Sequence, residues 1–130
     1  MHQKMNDGIR DCIKACLDSS DVCRQTITHC LSKGGVHADA SHIQLLLDCA
    51  EICQTSASFM SRQSTRHSGV CLICSDICQK CAESCRVFDD KAMSQCAEAC
   101  DRSAESCEQM ARMGGQKGKT QDVMSNAHIS

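Results

Sequence analysis

The sequence predicts an all-α protein, an antiparallel up-down-up-down four-helix bundle with a cysteine-lined core. Cysteine makes up 14 of the 130 residues, and the cysteines recur mostly at the three- and four-residue steps of one helix face. Polar or glycine-rich breaks divide the chain into four stretches, and none of these contains proline. Because the connections are short, consecutive helices are expected to run antiparallel.

The first two helices are predicted over residues 5–32 and 40–61. The Gly34-Gly35 pair favours a turn between them, and Ser41 or Asp39 is the expected N-cap of the second helix. On both helices, cysteine occupies inward positions at which a bundle normally carries Leu or Ile. The inward cysteines of these two helices are Cys12, Cys16, Cys23, Cys30, Cys49 and Cys53.

The third and fourth helices are predicted over residues 66–87 and 90–112. Ser64 or Thr65 is the expected N-cap of the third helix and Asp89 that of the fourth. Residues 1–113 are therefore predicted to form the bundle, and the polar, glycine-punctuated residues 114–130 a flexible C-terminal tail. The inward cysteines of these two helices are Cys71, Cys74, Cys78, Cys81, Cys85, Cys96, Cys100 and Cys107.

The third helix contains the densest cysteine run, VCLICSDICQKCAESC at residues 70–85. A ferredoxin-like loop would wrap such cysteines around one iron–sulfur cluster. Here the 3-4-3-4 spacing instead strings the thiols along a helix axis, at about 1.5 Å per residue, and the proline of the bacterial ferredoxin signature is missing. An iron–sulfur cluster bridging two helices stays open as an alternative, as does a thiol-redox protein on a helical bundle.

Composition and charge exclude several other classes. The net charge is −2 without a long run of one sign, so we expect neither a nucleic-acid partner nor a membrane partner. No segment is typical of a secretory signal or a membrane span, and a cytoplasmic location is expected. In a reducing compartment, so many cysteines are more typical of metal ligands than of disulfides. No Cys/His/Asp constellation indicates an activated nucleophile, so we expect no enzymatic activity.

Cu(I) is the metal that suits such a core best. Cysteine in place of Leu leaves a core underfilled, which favours an occupant, and thiolates are soft ligands that select Cu(I), Zn(II) or iron–sulfur centres. Zinc needs groups of four ligands, whereas Cu(I) accepts two or three thiolates that can bridge ions. Exchange of one proton for each monovalent ion also keeps the interior nearly neutral. The expected capacity is near one ion per cysteine, on the order of ten to twenty.

Weaker soft ligands are predicted at the two ends of the bundle. Met60, Met110 and His67 are candidate ligands at one end, where we expect copper to enter; a simpler alternative is that methionine only fills the tapering helix ends. The opposite end is expected to be largely plugged by Phe88. The entry end also gathers Met5 and Met113, and the opposite end Leu46, Val87, Met93, His42 and His29. The remaining histidines, His2, His37 and His128, are expected to be solvated.

Four CxxxC pairs, one on each helix, resemble those of the bacterial copper storage proteins, more closely the cytosolic branch. The pairs are CIKAC (12–16), CAEIC (49–53), CAESC (81–85) and CAEAC (96–100), and the likeness covers about residues 5–113. The resemblance implies a four-helix bundle that stores many Cu(I) ions on core cysteines and assembles as a homotetramer. A copper chaperone is a candidate partner.

Overall fold

The computed structural model describes residues 6–115. Each of its four long helices packs against the two beside it, so the last helix closes the bundle against the first. The predicted all-α bundle is confirmed. The elements are α1 (Asp7–Lys33), a 3₁₀ turn (Gly35–Ala38), α2 (Ala40–Ser61), α3 (His67–Arg86) and α4 (Lys91–Gly115).

Helix starts are set by local structure, and the predicted caps of α3 and α4 are wrong. The residue before α3 is Arg66, not Ser64 or Thr65, and no side-chain hydrogen bond caps that helix. Asp90, rather than Asp89, caps α4, because its Oδ1 lies 2.9 Å from the amide nitrogen of Met93 and accepts that N–H. At the start of α1, the Asn6 side chain accepts the amide N–H of Ile9 at 2.8 Å. None of the described helices is both long and apolar enough to cross a membrane.

The ends of the helices differ slightly from the prediction. Helix α4 continues through Gly114 and Gly115, two residues that the sequence predicts to lie in the C-terminal tail. The rest of the predicted tail, residues 116–130, lies outside the described residues, as do residues 1–5 with Met5. Between α1 and α2, Gly34 and Gly35 have φ angles of 74° and 57°, which favour glycine over any residue with a Cβ.

Small residues occupy the contacts between neighbouring helices. The Ser20 hydroxyl donates to the Ala50 carbonyl at 2.9 Å, which joins α1 to α2. The Ser75 hydroxyl donates to the Ala104 carbonyl at 3.0 Å, which joins α3 to α4. Alanine and serine allow the helix backbones to approach closely, and this approach brings the inward thiols of all four helices into one core.

Candidate metal centre

The fourteen cysteines form a column of sulfur along the bundle axis. Every one is a free thiol, and every one is completely shielded from solvent. Where thiols of different helices meet, their sulfurs lie 3.4–3.9 Å apart. The structure therefore brings together thiols that are up to 95 residues apart in the chain.

At one end of the column, α1 and α4 provide three thiols. Cys107 Sγ lies 3.6 Å from Cys12 Sγ and 3.4 Å from Cys16 Sγ. Cys12 and Cys16 are one of the CxxxC pairs, and the three sulfurs lie close enough together to hold one ion. Cys16 also belongs to a second group of three, with Cys53 and Cys74, so its sulfur could bridge two ions.

In the middle of the column, α2 and α3 face each other. Cys78 Sγ lies 3.5 Å from Cys49 Sγ and 3.4 Å from Cys53 Sγ. Cys53 also lies 3.8 Å from Cys74, which links this group to the first. Cys49 lies 3.7 Å from Cys100 on α4, which links it to the groups beyond. The column is therefore continuous.

Towards the other end, thiols from three helices form a group of four. Cys23 Sγ lies 3.7 Å from Cys100 Sγ and 3.9 Å from Cys96 Sγ, and Cys81 completes the group. Cys96 and Cys100 are another CxxxC pair, here facing α1 and α3. In the pair Cys81 and Cys85, only Cys81 falls within such a group among the described residues.

These separations suit metal–thiolate bonds. With a metal–sulfur bond of about 2.3 Å, as zinc thiolates have, the three sulfurs of a trigonal site lie about 4 Å apart. The observed sulfurs need to separate by only a few tenths of an ångström to admit an ion. The core is not underfilled around these thiols, contrary to the expectation from the sequence, because their sulfurs contact one another. The small Ala and Ser side chains let the helices close around the sulfurs.

A serine hydroxyl group lies among the core thiols. Ser103 Oγ lies 3.4 Å from the sulfurs of Cys53 and Cys78 and 3.5 Å from that of Cys16. A hydroxyl can donate to a thiolate or accept from a thiol. Ser103 is therefore placed to stabilise either protonation state at the centre of the column.

The last thiols of the column have soft neighbours other than thiols. Cys71 Sγ lies 3.8 Å from the Met60 thioether, and Cys30 Sγ lies 3.6 Å from the Met93 thioether. Cys30 also lies 3.6 Å from His42 Nε2. His42 Nδ1 lies 2.7 Å from the Ser84 hydroxyl. In the tautomer in which Nδ1–H donates to that hydroxyl, Nε2 presents a lone pair towards the column.

Two further candidate ligands lie at the Met60 end. Met110 is buried, and Gly8 lies close to it, since a Cβ at Gly8 would be 3.1 Å from the Met110 methyl carbon. His67 is half-buried, and its Nδ1 lies 2.9 Å from the Ser64 carbonyl oxygen, to which it donates. Met113 is 47% exposed.

Two histidines differ from, or add to, the sequence prediction. His37 was expected to be solvated, but the 3₁₀ turn holds it against Phe88, with ring centroids 4.2 Å apart. His42 is almost completely buried and faces Cys30. The sequence places His42 at this end of the bundle without predicting that it is a ligand, although it lies on the inward face of α2, seven residues before Cys49. This inward position is the feature of the sequence that indicates a ligand role for His42.

Comparisons with known proteins place the chain in a family. Residues 5–112 match the copper storage protein family. The chain belongs to the copper storage protein family. Among solved structures similar to this copper storage protein is that of Nmul_A1745 from Nitrosospira multiformis. It is 40% identical, with a TM-score of 0.78, and the match covers 82% of this chain and 96% of that one.

Two more relatives are informative. The Cu(I)-bound copper storage protein BsCsp3 is 33% identical with a TM-score of 0.76, over 81% of this chain and 99% of that one. The uncharacterized cysteine-rich protein YhjQ of Bacillus subtilis (strain 168) is 35% identical over 87 residues, which are 67% of this chain and 81% of that protein.

In this copper storage protein the core raises the pKa of nine of the fourteen cysteines and lowers that of the other five. Burial raises the pKa of Cys30, and the neighbouring charges of Cys96 and Asp90 raise it further. Hydrogen bonds between the core thiols shift their pKa values in both directions. Those with Cys12 and Cys16 raise the pKa of Cys107. Those with Cys107 and Cys12 lower the pKa of Cys16. A thiolate is therefore stabilised only where protonated neighbours donate to it.

The metal-free protein is expected to lose stability above about pH 9. A thiol whose pKa is raised on folding, as burial raises that of Cys30 above 9.0, stabilises the fold fully below its unfolded pKa. That contribution is lost as the pH rises towards the folded pKa, because the unfolded chain ionises first. Urea unfolding of reduced protein should give a free energy more than about 1 kcal/mol lower at pH 10 than at pH 8. An equal or higher value at pH 10 would contradict a core in which burial raises the pKa of thiols such as Cys30.

Proposed function

We propose that this protein binds and stores many Cu(I) ions on its core thiolates and thereby buffers and detoxifies copper, without enzymatic activity. One observation carries the proposal: fourteen free thiols are fully buried in the core, and ten of them have sulfurs 3.4–3.9 Å from a thiol of another helix. Thiolates are soft ligands that select Cu(I), Zn(II) or iron–sulfur centres. Membership of the copper storage protein family supports the same function.

Charge and coordination number favour Cu(I) over divalent ions. Three of the four thiol groups contain three sulfurs, and only one contains four. Three thiolates with bridging sulfurs suit Cu(I), whereas structural zinc requires four ligands in a tetrahedron. One monovalent ion replaces one proton on each thiol, so filling leaves the buried charge almost unchanged. A divalent ion on each thiol would accumulate positive charge in a low-dielectric core.

Anaerobic titration of fully reduced protein with Cu(I), in competition with a chromophoric chelator, tests this function. We expect on the order of ten to twenty ions per chain, bound more tightly than by the chelator, with release of protons and weaker binding at low pH. Saturation at about one or two ions would contradict storage. Sulfur-to-iron absorption bands in protein purified without added metal would favour an iron–sulfur protein instead.

We propose that copper enters at the end that carries Met60, Met110 and His67. The Met60 thioether is adjacent to Cys71, the last thiol at that end, and a thioether binds Cu(I) more weakly than a thiolate, so it can pass an ion inward. At the other end, Phe88 packs over His42, with ring centroids 5.0 Å apart. This packing supports a closed end there.

The double substitution Met60→Leu and Met110→Leu should therefore slow copper uptake. Leucine keeps the buried volume but removes both thioethers, so we expect uptake from a small Cu(I) donor to slow by about tenfold with unchanged final capacity. Stopped-flow uptake under anaerobic conditions measures this rate. Met93→Leu at the opposite end is the matched control. If both variants fill at the wild-type rate, the methionines only fill the helix ends.

We infer that the protein is a cytoplasmic homotetramer that exchanges copper with a chaperone. Free thiols are maintained in a reducing compartment, and large apolar side chains remain on the outer surface of the described helices, as an assembly interface requires. Analytical ultracentrifugation of the reduced protein should give four times the chain mass. The exposed aliphatic residues include Leu17, Leu31, Leu47, Leu72 and Ile73.

A further inference from the structure

A second group of metal-ligating side chains lies outside the sulfur column. His29 on α1, His37 on the 3₁₀ turn and Asp90 just before α4 converge at the Phe88 end of the bundle. Asp90 Oδ2 lies 3.2 Å from His29 Nε2 and 2.9 Å from His37 Nε2. The three side chains are only 21–30% exposed. Three different segments, α1, the 3₁₀ turn and the residue before α4, thus contribute one ligand atom each.

The carboxylate of this group is fixed in orientation. Its Oδ1 accepts the amide N–H of Met93 at 2.9 Å, which leaves Oδ2 to face both imidazoles. The hydrogen bond from Met93, followed by those from His37 and His29, lowers the pKa of Asp90 to about 2. The carboxylate is therefore ionised at neutral pH and needs no rearrangement to act as an anionic ligand.

The ligand atoms of His29, His37 and Asp90 are spaced like the ligands of one metal ion. For bonds of about 2.0–2.1 Å, the ligand atoms of a tetrahedral zinc site lie about 3.3 Å apart, close to the two observed separations. The rings of His29 and His37 meet edge to face, with centroids 5.7 Å apart and an angle of 77° between their planes. Both Nε2 atoms face Asp90 Oδ2, so an ion bound there would replace the protons that they donate to the carboxylate, and the partly exposed side is open to water as a fourth ligand.

We propose that His29, His37 and Asp90 form a site for a divalent cation of intermediate hardness such as Zn²⁺, separate from the sulfur column. Two imidazole nitrogens and a carboxylate oxygen suit such an ion, whereas the thiol column suits soft monovalent copper. A bound ion would join α1, the 3₁₀ turn and the start of α4. Phe88 contacts His37 on one side and His42 on the other, so the ion would hold in place the residues that cover the Cys30 end.

Zinc titration of the Cu(I)-loaded protein tests the site, because copper already occupies the thiolates. Long-range ¹H–¹⁵N spectra of the histidine rings report which nitrogen binds zinc. We expect one equivalent of Zn²⁺ to shift Nε2 of His29 and His37 together. Asp90→Asn, which can still cap α4, and His37→Asn should each weaken binding more than about tenfold. Asp11→Asn, which replaces an exposed carboxylate near the opposite end, is the control and should bind zinc normally.

The spectra also separate failure of this site from failure of copper storage. Zinc on a sulfur leaves the histidine nitrogens unchanged, and the copper content is measured independently. Unshifted His29 and His37 signals at saturating Zn²⁺, or equal zinc affinity in wild type, Asp90→Asn and His37→Asn, would overturn the proposal. The first result would leave the three residues as a hydrogen-bonded cluster only.

Discussion

Saturation with Cu(I) is expected to raise the unfolding temperature of this protein by about 20 °C or more. An ion that binds only the folded chain stabilises it by about 4 kcal/mol at a thousandfold excess over its dissociation constant. In a domain of this size, each kcal/mol raises the unfolding temperature by roughly 2–8 °C. Several ions cross-link all four helices through bridging thiolates, so their contributions accumulate.

Anaerobic circular dichroism of the metal-free and loaded forms measures this difference. Removal of copper with a high-affinity chelator should restore the lower unfolding temperature, which excludes irreversible oxidation as the cause. A rise of only about two or three degrees would mean that copper does not bind in the core.

Replacement of the central thiol group by serine is expected to reduce the copper capacity by about three ions. Cys78 Sγ lies 3.5 Å from Cys49 Sγ and 3.4 Å from Cys53 Sγ, and loss of the three thiols divides the column in two. Serine is tolerated in this interior, since Ser103 already contacts Cys53 and Cys78. The bundle should therefore fold. Copper per chain is measured by metal analysis after anaerobic loading and gel filtration.

Ser56→Ala on α2 provides the matched control. Ser56 is fully buried, between Cys53 and Met60 on the same helix, and its hydroxyl has no hydrogen-bond partner within residues 6–115. Alanine should leave the capacity unchanged and either preserve or slightly increase stability, because an unsatisfied buried hydroxyl is lost. If the triple serine variant retains the full wild-type capacity, the central thiols do not hold copper.

Much of the fold follows from the sequence alone, because one residue type marks the inward face of every helix. The 3-4 spacing of residues such as Cys71, Cys74 and Cys78 predicts both the helix and its buried side. The breaks at Gly34-Gly35 and near residue 62 predict the number of helices. These features are local, and local features can be predicted from a single sequence.

Features that depend on contacts between helices were predicted less well. The sequence shows that Cys replaces Leu, but the closing of the helices around sulfur depends on small side chains opposite one another, as at Ser20 and Ala50. The N-cap of α4 depends on which of two adjacent aspartates reaches the amide of Met93, and the structure selects Asp90.

The histidines illustrate the same limit. His37 lies in a short polar connection, where a solvated side chain is the usual outcome, and the 3₁₀ turn between Gly35 and Ala38 was not predicted. That turn directs His37 onto Phe88 and Asp90. The juxtaposition arises from a loop between α1 and α2 meeting the loop between α3 and α4, and no periodic pattern in the sequence marks it.

The crystal structure of the Cu(I)-loaded protein, with anomalous scattering recorded at the copper absorption edge, tests the storage column most directly. We expect a row of copper ions along the bundle axis, each about 2.3 Å from two or three cysteine sulfurs, with the four helices displaced by only a few tenths of an ångström. Copper confined to surface histidines, or paired cysteines oxidised to disulfides around an axis without metal, would contradict a core built to hold copper.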